Sequence, residues 1–333
     1  LLSLFFGVVL QAGNEFNVFY RSGYKKVRTR KYSAAIKDFR KALDFAKLSS
    51  EETRAIFGIV DAYYRQRNYK QSIVWLERLF ELPDLNKKNM GLAYKRLVDC
   101  HIKQKQYDDA LYLCKRAIKK IDDKKIGQHF YFKAAEVFSL RKDNANAIGA
   151  LKRVVSLSDN KGKDATRAKV KMTIIYYGAK RYNDALRTFP VREFQALKSN
   201  DKRTVGYYCG LSAVKLKKYQ IALGYFNGMP NSAKKGDWMQ YSKLSNLASC
   251  LKSMKQYKKA LVYYMKIAND KSFRASCRGT SLLTAASIKQ HNLKDPKGAV
   301  LLYKQVLKIK KVHPSQKKLA TTNIKKIEAK KKK

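Results

Sequence analysis

The sequence lacks the small constellations that carry most catalytic and metal chemistry. No two of its five cysteines, Cys100, Cys114, Cys209, Cys250 and Cys277, stand closer than fourteen residues apart. With no C-x-x-C there is neither a local zinc knuckle nor a thioredoxin-type redox pair. Cys100 and Cys114 could approach across one helical hairpin; alternatively all five are free thiols filling small core positions. The histidines, His101, His129, His291 and His313, show neither H-x₃-H nor H-E-x-x-H spacing. His101 stands where an aromatic recurs elsewhere and reads as a packed or edge histidine. Phosphate-loop, dinucleotide and nucleophile-elbow glycine patterns are absent as well. The acid pair Asp108-Asp109 opens a helix, where carboxylates complement the N-terminal dipole and its free N–H groups. Nothing here supports an enzyme, a metal, a cofactor or a small-molecule substrate.

Acidic residues are scarce. Against 73 Lys+Arg stand 25 Asp+Glu, a formal net charge of +48. Residues 1–143 carry 30 basic and 16 acidic side chains, whereas residues 144–333 carry 43 and 9. Such a field repels copies of the chain and attracts polyanions.

A long hydrophobic run is missing too. The longest, Leu1 to Leu10, has ten residues, against roughly 20 for a membrane span, so no integral membrane span is expected. Followed by Ala12 and Gly13, it fits the apolar region and cleavage end of a secretory signal that has lost its basic start, over residues 1–13. That reading places the protein outside the cytoplasm, in a bacterial periplasm or cell envelope. The competing reading is an apolar first helix packed on the rest of the chain, in a cytoplasmic protein.

What is present is a period. Ala35, Ser72, Ala110, Ala147, Ala185, Ala222, Ala260 and Ala299 are separated by 37, 38, 37, 38, 37, 38 and 39 residues. Three residues before each stand Tyr32, Tyr69, Tyr107, Asn144, Tyr182, Tyr219, Tyr257 and Pro296. Four residues after come Phe39, Leu76, Cys114, Leu151, Phe189, Phe226, Tyr264 and Tyr303. Three further on, Ala42, Leu79, Ala117, Val154, Met229, Ile267 and Val306 keep the column apolar, and Arg192, just after Pro190, breaks it. Offsets of three and four put these residues on one stripe of an α-helix. An amphipathic stretch precedes each such helix, joined to it by a polar x-Lys/Arg-x-Tyr turn. Each helix–turn–helix cannot bury its own apolar face and must stack on the next.

The turn Tyr, the helix-B Ala, the following aromatic and the second small residue resemble the tetratricopeptide repeat from about Asn14 to Lys310. Gly23, Gly210, Ala135, Ala248 and Val60 stand at the family's small position in the first helix, and Tyr63, Phe138 and Tyr176 at its Tyr position. The period of 37–39 exceeds the family's usual 34, which calls for longer helices or loops, and the early Trp of the family motif is absent. The resemblance implies an all-α, right-handed α-solenoid of about eight repeats over residues 14–312. Residues 313–333 form a C-terminal capping helix and Lys-rich tail, with Leu319, Thr322 and Ile327 on its partly apolar face.

In that family the first helices line a concave groove that holds a partner peptide or helix. Carried over, those positions are Tyr20, Tyr24, Phe57, Asp61, Tyr64, Arg65, Lys95, Asp99, Phe132, Glu136, Tyr177 and Tyr207, with Arg96, Lys133, Lys171, Ile174 and Leu211 beside them. Asp61, Asp99 and Glu136 share one position and would form a ladder of acids. Basic residues three or four places away allow pairing within each helix. The resemblance thus implies a non-catalytic scaffold for a protein or peptide partner. The alternative is a binder of anionic polymers, whether nucleic acid, lipopolysaccharide or acidic glycan, through the basic surface.

Overall fold

The structure is a computed structural model that describes residues 2–329, with side chains over residues 15–329. Eight helical hairpins succeed one another along the chain. α1 (Leu2–Arg28) pairs with α2 (Tyr32–Asp44), α3 (Ser49–Arg65) with α4 (Tyr69–Leu79), α5 (Lys87–Lys103) with α6 (Tyr107–Lys120), and α7 (Lys124–Leu140) with α8 (Asn144–Leu157). In the fifth hairpin α9 (Gly162–Gly178) meets a second helix split into α10 (Tyr182–Thr188) and α11 (Val191–Gln195). Then α12 (Ser199–Lys215) pairs with α13 (Tyr219–Gly228), α14 (Trp238–Ser253) with α15 (Tyr257–Asn269), and α16 (Ala275–Ser287) with α17 (Pro296–Lys308). α18 (Pro314–Ala329) packs on α16 and α17. The chain divides into two compact units, residues 1–168 and residues 169–333. In both, a second helix packs on its own first helix and on the first helix of the next hairpin. The side chains of residues 1–13, on which the signal reading depends, lie outside the described residues. No described helix is long and apolar enough to cross a membrane.

The eight-beat column is the skeleton of this stack. Every second helix begins at the residue three before the small one: Tyr32, Tyr69, Tyr107, Asn144, Tyr182, Tyr219, Tyr257 and Pro296. All eight small residues are fully buried, and the bulky residues four places on are buried with them. Ser72, the one polar member, donates its hydroxyl to the Val60 carbonyl at 3.4 Å and accepts from the Cys100 thiol at 3.5 Å. The small first-helix residues leave room for these rings. A Cβ on Gly23 or Gly58 would stand 2.7 or 2.6 Å from the Phe39 ring, and one on Gly210 2.6 Å from Phe226.

The polar turn has its own device. Arg30, Arg67, Lys105, Lys142, Lys180, Lys217, Lys255 and Lys294, each two residues before a second helix, adopt φ between 55 and 64°. That left-handed conformation costs a side-chain-bearing residue about 1 kcal/mol. It closes the first helix in the Schellman manner, as when Asn68 N–H donates to Tyr63 O at 2.9 Å and Asp143 N–H to Phe138 O at 2.8 Å. A cation placed there also faces the negative end of the helix dipole.

Two irregularities in the period have local causes. The 39-residue step coincides with a π-helical turn, Ile288–Asn292, which extends α16 and absorbs one residue. Just before Arg192 the second helix breaks: Phe189 leaves the helical conformation ahead of Pro190, as the residue before a proline prefers. The freed Phe189 carbonyl accepts a hydrogen bond from the Tyr225 hydroxyl at 2.6 Å. Arg192 turns to solvent, and Phe194, fully buried, supplies the apolar contact instead.

Longer first helices account for the long period: α3, α5, α7, α9 and α12 each have 17 residues. The capping helix buries Ala320, Ile324 and Ile327, while Leu319 and Thr322 are exposed. Of the expected face Ile327 is buried, and Ala320 and Ile324 complete the stripe with it at i, i+4, i+7 spacing in place of Leu319 and Thr322. All five cysteines are free, so Cys100 and Cys114 are unpaired. Burial pushes the thiols of Cys114 and Cys209 up to about 12 and that of Cys250 to about 11, which makes them inert core residues.

Candidate functional site

In the first unit the first-helix face is largely closed upon itself. Tyr20 and Tyr24 do not stand free. Their rings meet edge to face at 5.0 Å and both press on Phe39, at 5.9 and 5.0 Å. Burial and the neighbouring Tyr20 raise the Tyr24 hydroxyl well above its ordinary range. Phe57 and Tyr64 are half-buried against the hydrophobic core. An arginine from the next first helix covers several of these aromatics. Arg54 lies 4.4 Å from the centre of the Tyr20 ring, Arg96 5.6 Å from Tyr64, and Arg167 4.9 Å from Phe132.

The acids follow the same logic. Asp61 pairs within its helix with Arg65 at 2.8 Å, but also across to Arg96 of the next first helix at 3.7 Å. Asp99 pairs with neither Lys95 nor Arg96; it takes Lys133 from the next repeat at 2.6 Å. Lys133 in turn reaches Glu136 at 3.2 Å; burial lowers the ammonium pKa, but the Asp99 and Glu136 carboxylates together raise it. Two members of the ladder, Asp61 and Asp99, therefore clamp neighbouring repeats, while Glu136 pairs within its own helix; the expectation of pairing within each helix is corrected for Asp99 alone. Lys95 remains exposed.

The second unit presents a different surface. Tyr177 and Tyr207 both lie against Tyr208, at 5.4 and 5.2 Å, and Tyr207 stands edge-on to Trp238 at 5.2 Å. Trp238 is 60% exposed. It overhangs a recess of about 830 Å³ at the N-terminal ends of α12, α14 and α16, lined by Arg203, Lys234, Trp238, Tyr241, Phe273 and Arg274 among others.

The nine-residue connection 229–237 shapes this recess. Lys243, buried without a carboxylate, anchors it by donating to Met229 O at 2.6 Å and Asn231 Oδ1 at 2.9 Å; burial and the charge of Lys266 lower its pKa. Gly236 adopts φ +69, and a Cβ there would stand 2.9 Å from the Ser272 carbonyl oxygen. Its N–H donates to Ser272 Oγ at 3.1 Å, joining the connection to the next one. Asp237 caps α14 by accepting from Met239 N–H at 2.8 Å and also pairs with Arg203. Burial pushes the Asp237 carboxyl up, yet hydrogen bonds from Arg203, Ser232 and Met239 hold it at about 2. With Arg203 neutralised, Lys234 and Arg274 are the recess cations without an acidic partner among the described residues. Aromatic walls and two unpaired cations suit an anionic group attached to an apolar or aromatic body.

Of the expected positions only Tyr207 touches this recess, through Trp238. The signals for the rest were the long connection, with Pro230 and Gly236, and one of only two tryptophans in the chain. Among the described residues no cluster of His, Cys, Asp and Glu could hold a metal ion.

The sequence matches no family model and no curated protein. Among solved structures, the C-terminal part of a TPR repeat-containing protein from Cytophaga hutchinsonii is similar over 90% of this chain and 98% of its own, with 15% identity and a TM-score of 0.53. A structure of Naa15/Naa10 bound to HypK-THB is similar over 82% of this chain and 39% of its own, with 14% identity and a TM-score of 0.51. With the eight-beat column and stacked hairpins, these likenesses define the chain as a TPR-like α-solenoid.

Proposed function

We propose that the chain is a non-catalytic scaffold that holds a segment of a protein partner, and that its recognition point is the aromatic and cationic recess beside Trp238. The observation that carries this is the pairing of a largely exposed indole with the uncompensated Lys234 and Arg274 over one recess. The partner segment carries an acidic side chain or terminal carboxylate next to an apolar or aromatic one. An aromatic anchor in a recess, rimmed by charge, is the pattern that concentrates binding energy. The Naa15/Naa10 structure, bound to HypK-THB, supports it as a similar helical body engaged with another protein.

Trp238 supplies the test. With Trp75 replaced by Phe it is the only indole in the chain, so its emission reports occupancy. Titration with a synthetic peptide of Phe flanked by glutamates is expected to shift that emission saturably. The double reversal K234E/R274E should weaken binding about tenfold or more. A peptide that leaves the emission unchanged overturns the reading. If heparin or oligo-dT shifts it equally, with affinity falling linearly in log–log against salt, the recess serves anionic polymers instead.

Export to a cell envelope is part of the same proposal. Its support is the apolar run Leu1 to Leu10 followed by Ala12 and Gly13. The protein isolated from its native cells should start near Asn14 by mass spectrometry; retention of Leu1–Leu10 sinks this part alone.

A further inference from the structure

The second helices, whose outer sides look like mere framework, leave an open groove in the first unit. It runs between α6 and α8, holds about 540 Å³, and is mainly apolar. Its floor is Tyr131, Ala134 and Phe138 of α7; Leu111 and Ile118 of α6 form one wall, with Gly149 and Ala150 of α8 opposite. Tyr112 at the rim is 63% exposed, and a Cβ on Gly149 would find nothing within 4 Å. Lys115 and Arg153 stand one on each wall, exposed, with no acidic partner among the described residues.

The second unit shows what fills such a groove. Its α12 and α13 are in register with α7 and α8, Ser199 answering to Lys124 and Tyr219 to Asn144. There Gly149, Ala150, Arg153 and Tyr131 become Gly224, Tyr225, Gly228 and Gly206. The break at Pro190 lets α11 turn onto that surface and pack on α12 and α13. Val191 comes to 3.6 Å from the Cβ position of Gly224. The Phe194 ring comes to 2.5 and 3.0 Å from the Cβ positions of Gly228 and Gly206. In the first unit α6 runs unbroken for 14 residues, so no segment turns in and the groove stays open.

We infer that the α6/α8 groove is a docking site for an acidic amphipathic helix of a protein partner. Two apolar side chains three residues apart take the places that Val191 and Phe194 hold in the second unit, and flanking carboxylates meet Lys115 and Arg153. This is helix-in-groove recognition, independent of the recess beside Trp238.

The probe is a fluorescein-labelled, capped Ala/Glu helix carrying Val and Phe three residues apart, titrated into the full chain by fluorescence anisotropy. Saturable binding is expected. G149W, which fills the open space, and K115E/R153E, which reverses exposed charges without touching the core, should each weaken it about tenfold or more. W238A, which alters only the recess, should leave it within about twofold. No saturation below about 1 mM overturns the inference, as does undiminished affinity in K115E/R153E. Equal binding of an Ala/Glu peptide without Val and Phe also overturns it, since charge alone would then suffice.

Discussion

Replacing Phe194 by alanine is expected to cost the second unit about 3–5 kcal/mol, the range for truncating a fully buried phenylalanine. The ring has no slack around it. It lies against the helix backbones at Gly206 and Gly228 and 5.2 Å from the Tyr225 ring. Those glycines have no side chains with which to collapse into the space, so the cavity should remain largely open. The companion change Arg192→Ala, at the position the repeat pattern marks as core, should shift stability by no more than about 0.5 kcal/mol, because Arg192 is exposed. Urea unfolding followed by circular dichroism measures both. Equal effects of the two changes would mean that Phe194 has not taken over the core role of the broken position.

The contrast between those two residues shows where sequence reasoning stops. The eight-beat column locates every second helix to the residue, because a small–bulky–small stripe at helical spacing can be buried in only one way. The Lys/Arg of the turn motif is visible in the sequence as well, though not its left-handed backbone, since a non-glycine residue there runs against local preference. Arg192 marks a break correctly, but the substitute lies two residues downstream, on a short helix that starts afresh after Pro190 and so leaves the register that a fixed-offset column assumes.

The site was less legible. Asp99 finds Lys133 at 2.6 Å in the next repeat, a contact between helices that offsets of three and four within one helix cannot reveal. Tyr20 and Tyr24 belong to a first helix, as their offsets require, yet the stack draws them onto Phe39. The recess depends on a connection outside the repeating part of the repeat, held by Lys243 and Gly236, so the period says nothing about it. The α6/α8 groove is defined by what is missing, namely side chains at Gly149 and Ala150 and a break in α6. An absence becomes visible only when a second copy of the same surface shows it filled.

Asp237→Ala is expected to destabilise the second unit by roughly 2–3 kcal/mol while changing how the recess meets anions. The carboxylate has two tasks: it caps α14 through Met239 N–H and neutralises Arg203. Its pKa of about 2 in the folded chain lies below the ordinary aspartate value of 3.8. A carboxyl depressed on folding stabilises above its unfolded pKa, and that contribution is lost as pH falls through the folded one. The wild type should therefore lose roughly 2 kcal/mol between about pH 4 and pH 2 from this group. In the alanine variant that part of the acid dependence disappears, and urea unfolding at stepped pH values measures the difference. Removing the carboxylate also leaves Arg203, 27% exposed, without its counter-charge and free to join Lys234 and Arg274. The emission of Trp238 should then report tighter binding of the Phe/Glu peptide at low salt, with a steeper fall as salt rises. Unchanged affinity together with lost stability would confine Asp237 to holding the helix start and would separate the architecture of the recess from its recognition chemistry.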